Sequence, residues 1–320
     1  LPLDNSNRKL LMKIIKIPKG NGKFRTIYAL SEREKNQANS WRAFIESENI
    51  DSADVQHGFR IGRSPVTNAL EHRAWRYTLS MDLKDFFDSV SPGHMPWALL
   101  KMPLFRKWCF FDGAARQGIP TSPAIANLAA QKMDDEICAL NQQSRLGRMF
   151  IYTRYADDMV FSFNYAGIAD MLKAEVPRIA ERHMFQVNDE KTTLQCARQG
   201  RRQITGVSVD DEGVHLPRAT KRKLRAIEHQ LKKGIRGHGL KFHISRQRDL
   251  KRRGRAVSLH SLIQGQLRGL REWAKLKLPT GYVKQTKSGD APLAAVLVAA
   301  SGGAHHCPIP PSGIRKFSLC

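Results

Sequence analysis

The apolar positions of the chain switch repeatedly between a two-residue and a helical period, and each switch marks an element. Residues 12–30 (MKIIKIPKGNGKFRTIYAL) place apolar β-formers on both sides of Pro18-Lys19-Gly20-Asn21-Gly22, the composition of strand, turn and strand. From Ser31 to residue 50 the pattern is helical, with Glu34 three residues beyond Ser31 in capping-box spacing. A second helix is expected over 65–76. Tyr77–Val90 opens as a strand: Leu79, Met81 and Leu83 alternate, Asp82 falls on the opposite face, and Phe86 to Ser89 lead toward a helix start near Ser91-Pro92. Gln117-Gly118-Ile119-Pro120 is a breaker-rich loop, and Thr121-Ser122-Pro123 reads as the cap and first turn of a helix carrying Ile125, Leu128 and Met133. Ile151 to Phe163 (IYTRYADDMVFSF) reads as two short strands joined at Ala156-Asp157-Asp158. An amphipathic helix follows over 168–183, then a strand starting at Val187, and Arg202–Val209 reads as a strand broken by Gly206, with a turn at Asp211-Glu212-Gly213. Further helices are expected over 218–236 and 258–278, and a Gly-, Pro-, Ser- and Ala-rich tail beyond.

Charge alters this picture more than composition does. The 320 residues carry a formal net charge of +24. Residues 198–277 alone hold 22 Lys and Arg against 6 Asp and Glu, which points to a polyanion, most simply nucleic acid. Within the 218–236 helix, Arg218, Arg222, Arg225, His229, Lys232 and Arg236 form one stripe, and Leu224, Ile227, Leu231 and Ile235 form another. A stripe of cations without an acid repels itself in water, so a phosphate partner fits better than a solvated face. With 41% apolar residues the chain is not generally disordered, and no run reaches the ~20 apolar residues of a membrane span. Five scattered cysteines without CxxC spacing suit reduced thiols, and a cytoplasmic location with no membrane association is expected.

Three acids carry the candidate chemistry. Asp157 and Asp158 together at a hairpin tip either face water or share a divalent metal, because neighbouring desolvated carboxylates repel and protonate unless compensated. Asp82 on a separate strand supplies a third carboxylate, the number a two-metal site uses. Lys19, Lys23 and Arg25 decorate the first hairpin, either as surface cations or as a flap that closes over a triphosphate.

Asp82 on its strand, the Gln-Gly loop with its helix, and Tyr155-Ala156-Asp157-Asp158 on a hairpin occur in the order and spacing of a reverse transcriptase, and the chain resembles that family over about residues 10–280. Asn188 to Thr192 (NDEKT) and the strand at Gly206 follow where the family's later palm motifs lie. Within the family it resembles the bacterial retron enzymes: Asn68-Ala69-Leu70-Glu71-His72 is similar to their NAxxH motif, and Ile204-Thr205-Gly206 to their VTG motif with Ile in place of Val. QGIPTSPAIANL and YTRYADD resemble the retron forms of their motifs.

The resemblance implies an α+β right-hand polymerase fold. Fingers would occupy residues 1–76, the palm with its antiparallel sheet and catalytic motifs 77–216, a helical basic thumb 217–280 and a loosely ordered tail 281–320. It also implies two Mg²⁺ at Asp82, Asp157 and Asp158, with Lys191 placed to protonate pyrophosphate. Lys23, Arg25, Gln117 and Gly118 would meet the incoming dNTP, Phe87 would collide with a ribose 2′-OH, and Gly206 would support the primer end. RNA recognition is assigned to Asn68, His72, Ile204 and Thr205 together with the stripe of Arg218, Arg222, Arg225, His229, Lys232 and Arg236. The implied reaction copies a structured non-coding RNA, from a guanosine 2′-OH, into branched RNA-linked single-stranded DNA. A toxic effector protein in anti-phage defence and a host RNase H are the implied partners. Rival readings are a group II intron-like or diversity-generating reverse transcriptase, and an inactive RNA-binding scaffold.

Overall fold

The structure, a computed structural model, describes residues 12–20, 22–48, 54–142 and 149–233. The expected helix over 258–278, the tail, Arg236 and most of the expected thumb lie outside the described residues. β1 (Met12–Gly20) and β2 (Lys23–Leu30) form a two-stranded antiparallel ribbon whose Lys23 pairs with Gly20 at the tip. α1 (Glu32–Glu48) begins at the expected capping box: Glu34 N donates to Ser31 Oγ, and Ser31 N donates back to Glu34 Oε2 at 3.2 Å. α2 (Pro65–Glu71) is shorter than the 65–76 expected, because the chain turns at His72 and Ala74 takes a positive φ of 62°.

The palm is a four-stranded antiparallel sheet in the order β4-β5-β3-β6, formed by β3 (Tyr77–Asp82), β4 (Phe150–Tyr155), β5 (Asp158–Phe163) and β6 (Thr193–Cys196). Its two faces differ in chemistry. Leu79, Met81, Phe150, Tyr152, Met159, Phe161 and Phe163 point to one face and join a core with two helices, α6 (Ser122–Gln142) and α7 (Gly167–Arg182). Ala126, Ala129 and Ala130 of α6 are buried there, which lets that helix lie close to the sheet. The short helices α3 (Phe86–Ser89), α4 (Trp97–Lys101) and α5 (Phe105–Cys109) close the end of this core through Phe86, Leu99 and Phe105. The other face shows Thr78, Ser80, Thr153, Val160 and Ser162. It is covered by α2 and by a second sheet of β7 (Arg202–Ile204), β8 (Val207–Val209) and β9 (Val214–His215), around a small core of Ala69, Val160, Ile204, Val207 and Val209.

Three further elements differ from the sequence expectation. Residues 202–209 are not one broken strand but a tight hairpin, with Ile204 opposite Val207 and both turn residues, Thr205 (φ 45°) and Gly206 (φ 79°), in the left-handed region of a type I′ turn. The strand expected from Val187 begins only at Thr193, because Asp189–Lys191 forms a 3₁₀ turn whose start is pinned by Asn188 N donating to Asp82 O at 2.7 Å. Near Ser91-Pro92 there is only a 3₁₀ turn, Pro92–His94, preceded by the single helical turn of α3. α8 (Arg218–Lys233) forms where the basic helix was expected. Among the described residues, no helix is long and apolar enough to cross a membrane.

Candidate active site

Strand register assembles the three acids. β3 and β5 pair so that Asp82 lies opposite Asp158, and β4 and β5 pair Tyr155 with Asp158, leaving Ala156 and Asp157 as a two-residue turn. Ala156 takes a φ of 59°, the geometry that lets right-twisted strands join in so short a turn. Asp82, Asp157 and Asp158 each bring a carboxylate oxygen to within 4.8 Å of the others. Burial, then the charges of Asp157 and Asp82, push Asp158 up to about 6; burial, with Asp82 beside it, also raises Asp157. Lys191 Nζ donates to Asp82 Oδ2 at 2.7 Å, and that bond raises the lysine above its ordinary value. Three hard oxygen donors with one ammonium among them leave surplus negative charge, and such a set fits a divalent cation of the Mg²⁺ type.

The hairpin tip is anchored from behind. Arg154, two residues before the turn, is fully buried. Its Nε and Nη2 donate to Asp134 of α6 at 2.9 and 2.7 Å, and its Nη1 donates to Asn127 Oδ1 and to the Ala156 carbonyl at 3.0 Å. Asp134 also accepts from Tyr152 Oη at 2.7 Å and Gln56 Nε2 at 3.0 Å. In front of the turn lies Gly58, where a Cβ would stand 2.3 Å from the Ala156 amide nitrogen.

The expected nucleotide contacts are distributed around this centre. Phe87 is half-buried on α3, five residues from Asp82. The ribbon is sewn to the loop before α6: Tyr28 N donates to Gln117 O at 2.8 Å, and a Cβ on Gly118 (φ 97°) would lie 2.5 Å from Tyr28 O. Arg25 is exposed on β2, yet its charge acts on Asp157. Lys23 is placed at the ribbon tip by its backbone pairing. Gly206 and Thr205 line, with Asp158, Ser80, Thr193 and Gln203, a cavity of about 440 Å³ between the palm sheet and the β7–β8 hairpin.

The residues assigned to RNA recognition fall into two groups. Arg218, Arg222, Arg225 and His229 are exposed on α8, while Ile227 of the same helix is buried; the Lys232 side chain and Arg236 lie outside the described residues. Asn68, His72 and Ile204, by contrast, are each 0% exposed, so an RNA surface made of these three side chains is corrected to an internal one. His72 hydrogen-bonds Thr153 Oγ1 at 2.6 Å and Ser162 Oγ at 3.0 Å, Ser162 continues to Thr78 at 2.8 Å, and Arg202 Nη1 donates to Thr78 Oγ1 at 3.2 Å. Asn68 Nδ2 donates to Thr205 Oγ1 at 3.3 Å, tying α2 to the β7–β8 turn. These polar side chains fasten two layers together where the hydroxyl-bearing face of the sheet offers partners. The sequence analysis missed Arg154, Asp134, Gln56, Asn127 and Gly58. An arginine on the Tyr152 face of a strand otherwise apolar on that side was the one readable signal.

Residues 17–222 match the family model described as reverse transcriptase (RNA-dependent DNA polymerase). The retron Mx162 reverse transcriptase of Myxococcus xanthus is 34% identical over 262 residues, covering 69% of this chain and 53% of that protein. The retron Mx65 reverse transcriptase of the same organism is 31% identical over 245 residues, covering 67% and 54%, and the retron Ec73 reverse transcriptase of Escherichia coli 31% over 243 residues, covering 68% and 75%. The chain thus spans about half the length of the two Myxococcus relatives. Among solved structures, telomerase from Candida albicans in complex with a TWJ fragment of telomeric RNA aligns with a TM-score of 0.50 and 12% identity over 83% of this chain and 56% of that one, a likeness of fold. With the family model covering most of the described chain and the three acids gathered on its palm strands, the chain belongs to the reverse transcriptase family, and its similarity runs to the bacterial retron enzymes within it.

Proposed function

We propose that this chain is the RNA-directed DNA polymerase of a retron, and that it copies a structured RNA of its own locus into single-stranded DNA. The observation that carries the reading is the convergence of Asp82, Asp157 and Asp158 within 4.8 Å on paired palm strands. These residues would hold two Mg²⁺, which supply activation of the priming hydroxyl and charge neutralisation at the triphosphate and leaving pyrophosphate. Lys191, bonded to Asp82, would give a proton to the leaving pyrophosphate. Arg25 and Lys23 on the ribbon draw the triphosphate toward the acids, and the Tyr28–Gln117 tie fixes the ribbon's root. Gln117 and Gly118 border the incoming nucleotide, Phe87 closes the space a ribose 2′-OH would need, and the Thr205-Gly206 turn supports the primer end.

The exposed cations of α8 would grip the RNA by its phosphates. Synthesis from the 2′-OH of an internal guanosine would leave a branched RNA–DNA product. A host RNase H would trim the template, and an effector protein would couple the product to anti-phage defence in the cytoplasm. Primer extension with dNTPs and Mg²⁺, comparing the wild type with Asp157→Asn, tests the chemistry: the substitution should abolish incorporation, and equal incorporation by both proteins would refute the site. Sequencing the nucleic acid that co-purifies with the chain tests the retron assignment. Branched RNA–DNA is the expected product, and a purely linear product would move the chain to another bacterial reverse transcriptase class.

A further inference from the structure

One residue outside every motif named above is both strained and exposed beside the site. Phe59 has a φ of 61°, a left-handed conformation that is strained for an L residue, and the residue is 44% exposed. Folding gains little from such a residue: glycine would remove the strain, and a polar side chain would remove the exposed apolar surface. Two contacts show what the position provides. The Phe59 ring lies 6.0 Å, centroid to centroid, from Phe87 at an interplanar angle of 53°. Its backbone neighbour Gly58 is wedged against the Ala156 amide, where a Cβ would come within 2.3 Å, and Asn127 Nδ2 donates to Gly58 O at 2.9 Å. The left-handed backbone at Phe59 thus goes with a Gly58 pressed on the aspartate turn and a ring set against Phe87.

Phe87 is half-buried and packs against the main core from one side. It sits on a single helical turn, Phe86–Ser89, that starts at another left-handed residue, Asp85 (φ 42°). Phe86 backs it from the core at 5.8 Å and rests in turn on Phe185 at 5.6 Å. We propose that Phe59 is a specificity-determining positioning residue. Its ring holds Phe87 against the sugar of the incoming nucleotide and so discriminates deoxyribonucleoside from ribonucleoside triphosphates, while Gly58 keeps that wall in fixed distance from the aspartate turn. This rests on Phe87 being the residue that meets the ribose 2′-OH. A hydroxyl is excluded by contact at van der Waals range, so a ring free to tilt admits it. Packing from both sides removes that freedom.

The test uses the full chain in single-nucleotide extension, reading kcat/KM for dTTP and for UTP in the wild type, Phe87→Val, Phe59→Gly and Phe59→Leu, with a thermal melt of each. Phe87→Val should raise the UTP:dTTP ratio. Phe59→Gly should raise it too, by roughly tenfold, the scale on which a pocket senses the loss of a small contact, with a melting temperature equal to or above that of the wild type because glycine relieves the strain. Phe59→Leu, which keeps bulk at the position, should fall between. If Phe87→Val loosens sugar choice and both Phe59 variants leave the ratio within twofold of the wild type, the inference is wrong and the Phe87 reading stands. If Phe87→Val leaves the ratio unchanged, the sugar reading of Phe87 fails and takes this inference with it. Should KM rise equally for both nucleotides in the Phe59 variants, the ring contacts base or template instead, and the inference is again overturned.

Discussion

Replacing Arg154 by Met should expose how far the aspartate hairpin depends on the buried polar cluster beneath it. Arg154 and Asp134 are both 0% exposed and form a bidentate pair. Burial works against the arginine's charge, yet Asp134 overcomes it and holds the guanidinium above its ordinary value. Removing the guanidinium leaves a buried carboxylate with two neutral donors among the described residues, Tyr152 Oη and Gln56 Nε2. Breaking a buried pair in this way costs about 3–5 kcal/mol, a large part of a total stability of about 5–15 kcal/mol. At about 2–4 °C per kcal/mol for a domain of this size, the melting temperature should fall by roughly 6–20 °C. The double variant Arg154→Met with Asp134→Leu removes both charges and should recover most of that loss, since a well-packed apolar replacement of an ion pair is close to neutral.

Activity should separate from stability in the same series. Arg154 Nη1 also donates to the Ala156 carbonyl, so the turn that carries Asp157 loses its inner anchor in the double variant even where the fold recovers. Urea denaturation of the wild type, both single variants and the double variant gives the coupling energy, and primer extension on the same four proteins reads the turn. A cost below about 1 kcal/mol for Arg154→Met, or a double variant no better than the sum of the singles, would show that the pair is not coupled and that the hairpin is held elsewhere.

Two further outcomes follow from groups the structure describes. Burial foremost lowers both His57 and His72 to about 3, so the unfolded chain binds their protons first and stability is lost as pH falls through about 6.5, by roughly 2 kcal/mol per histidine at pH 5. Asp158, raised to about 6, acts in the opposite direction, so the urea midpoint should be compared between wild type and His72→Gln from pH 7 to pH 5; parallel curves would refute the histidine contribution. On α8, Arg222→Ala with Arg225→Ala should weaken binding of structured RNA and reduce the slope of log K against log salt by about 1.4–1.8, and an unchanged slope would place the RNA elsewhere.

Legibility in the sequence followed the range of the interactions involved. Ser31 and Glu34 could be read because a capping box is local, and Asp82 could be placed because strand alternation fixes its face. The type I′ turn at Thr205-Gly206 was hidden because threonine rarely takes a positive φ, so Gly206 read as a break within one strand rather than as half of a turn between two. The Arg154–Asp134 pair joins a strand to a helix 20 residues earlier; the apolar face around Arg154 marks it as unusual, but nothing local names Asp134 as its partner. Asn68 and His72 were assigned to RNA recognition from their motif resemblance, which carries no information on burial. Their partners Thr205, Thr153 and Ser162 lie 81 to 137 residues away, and only the folded sheet shows that these polar side chains face one another.

The two faces of the palm sheet divide the work of the site. On the α6 side, Arg154, Asp134, Tyr152 and the apolar core fill the space, so strand β4 and the Ala156-Asp157 turn have little room to shift. On the other side the sheet presents Ser80, Thr193 and Asp158 to a cavity of about 440 Å³ under the β7–β8 hairpin, so that hairpin has room that the turn lacks. Asp158 belongs to both arrangements, since its carboxylate joins the triad and also lines the cavity. Above pH of about 6 it is ionised, and its repulsion with Asp157 and Asp82 is the unfavourable interaction that a divalent cation relieves. Under the proposed function, the stiff face would supply the fixed geometry that paired metals demand, while the hydroxyl-lined face would leave space beside the same carboxylate for a primer end that must advance after each addition.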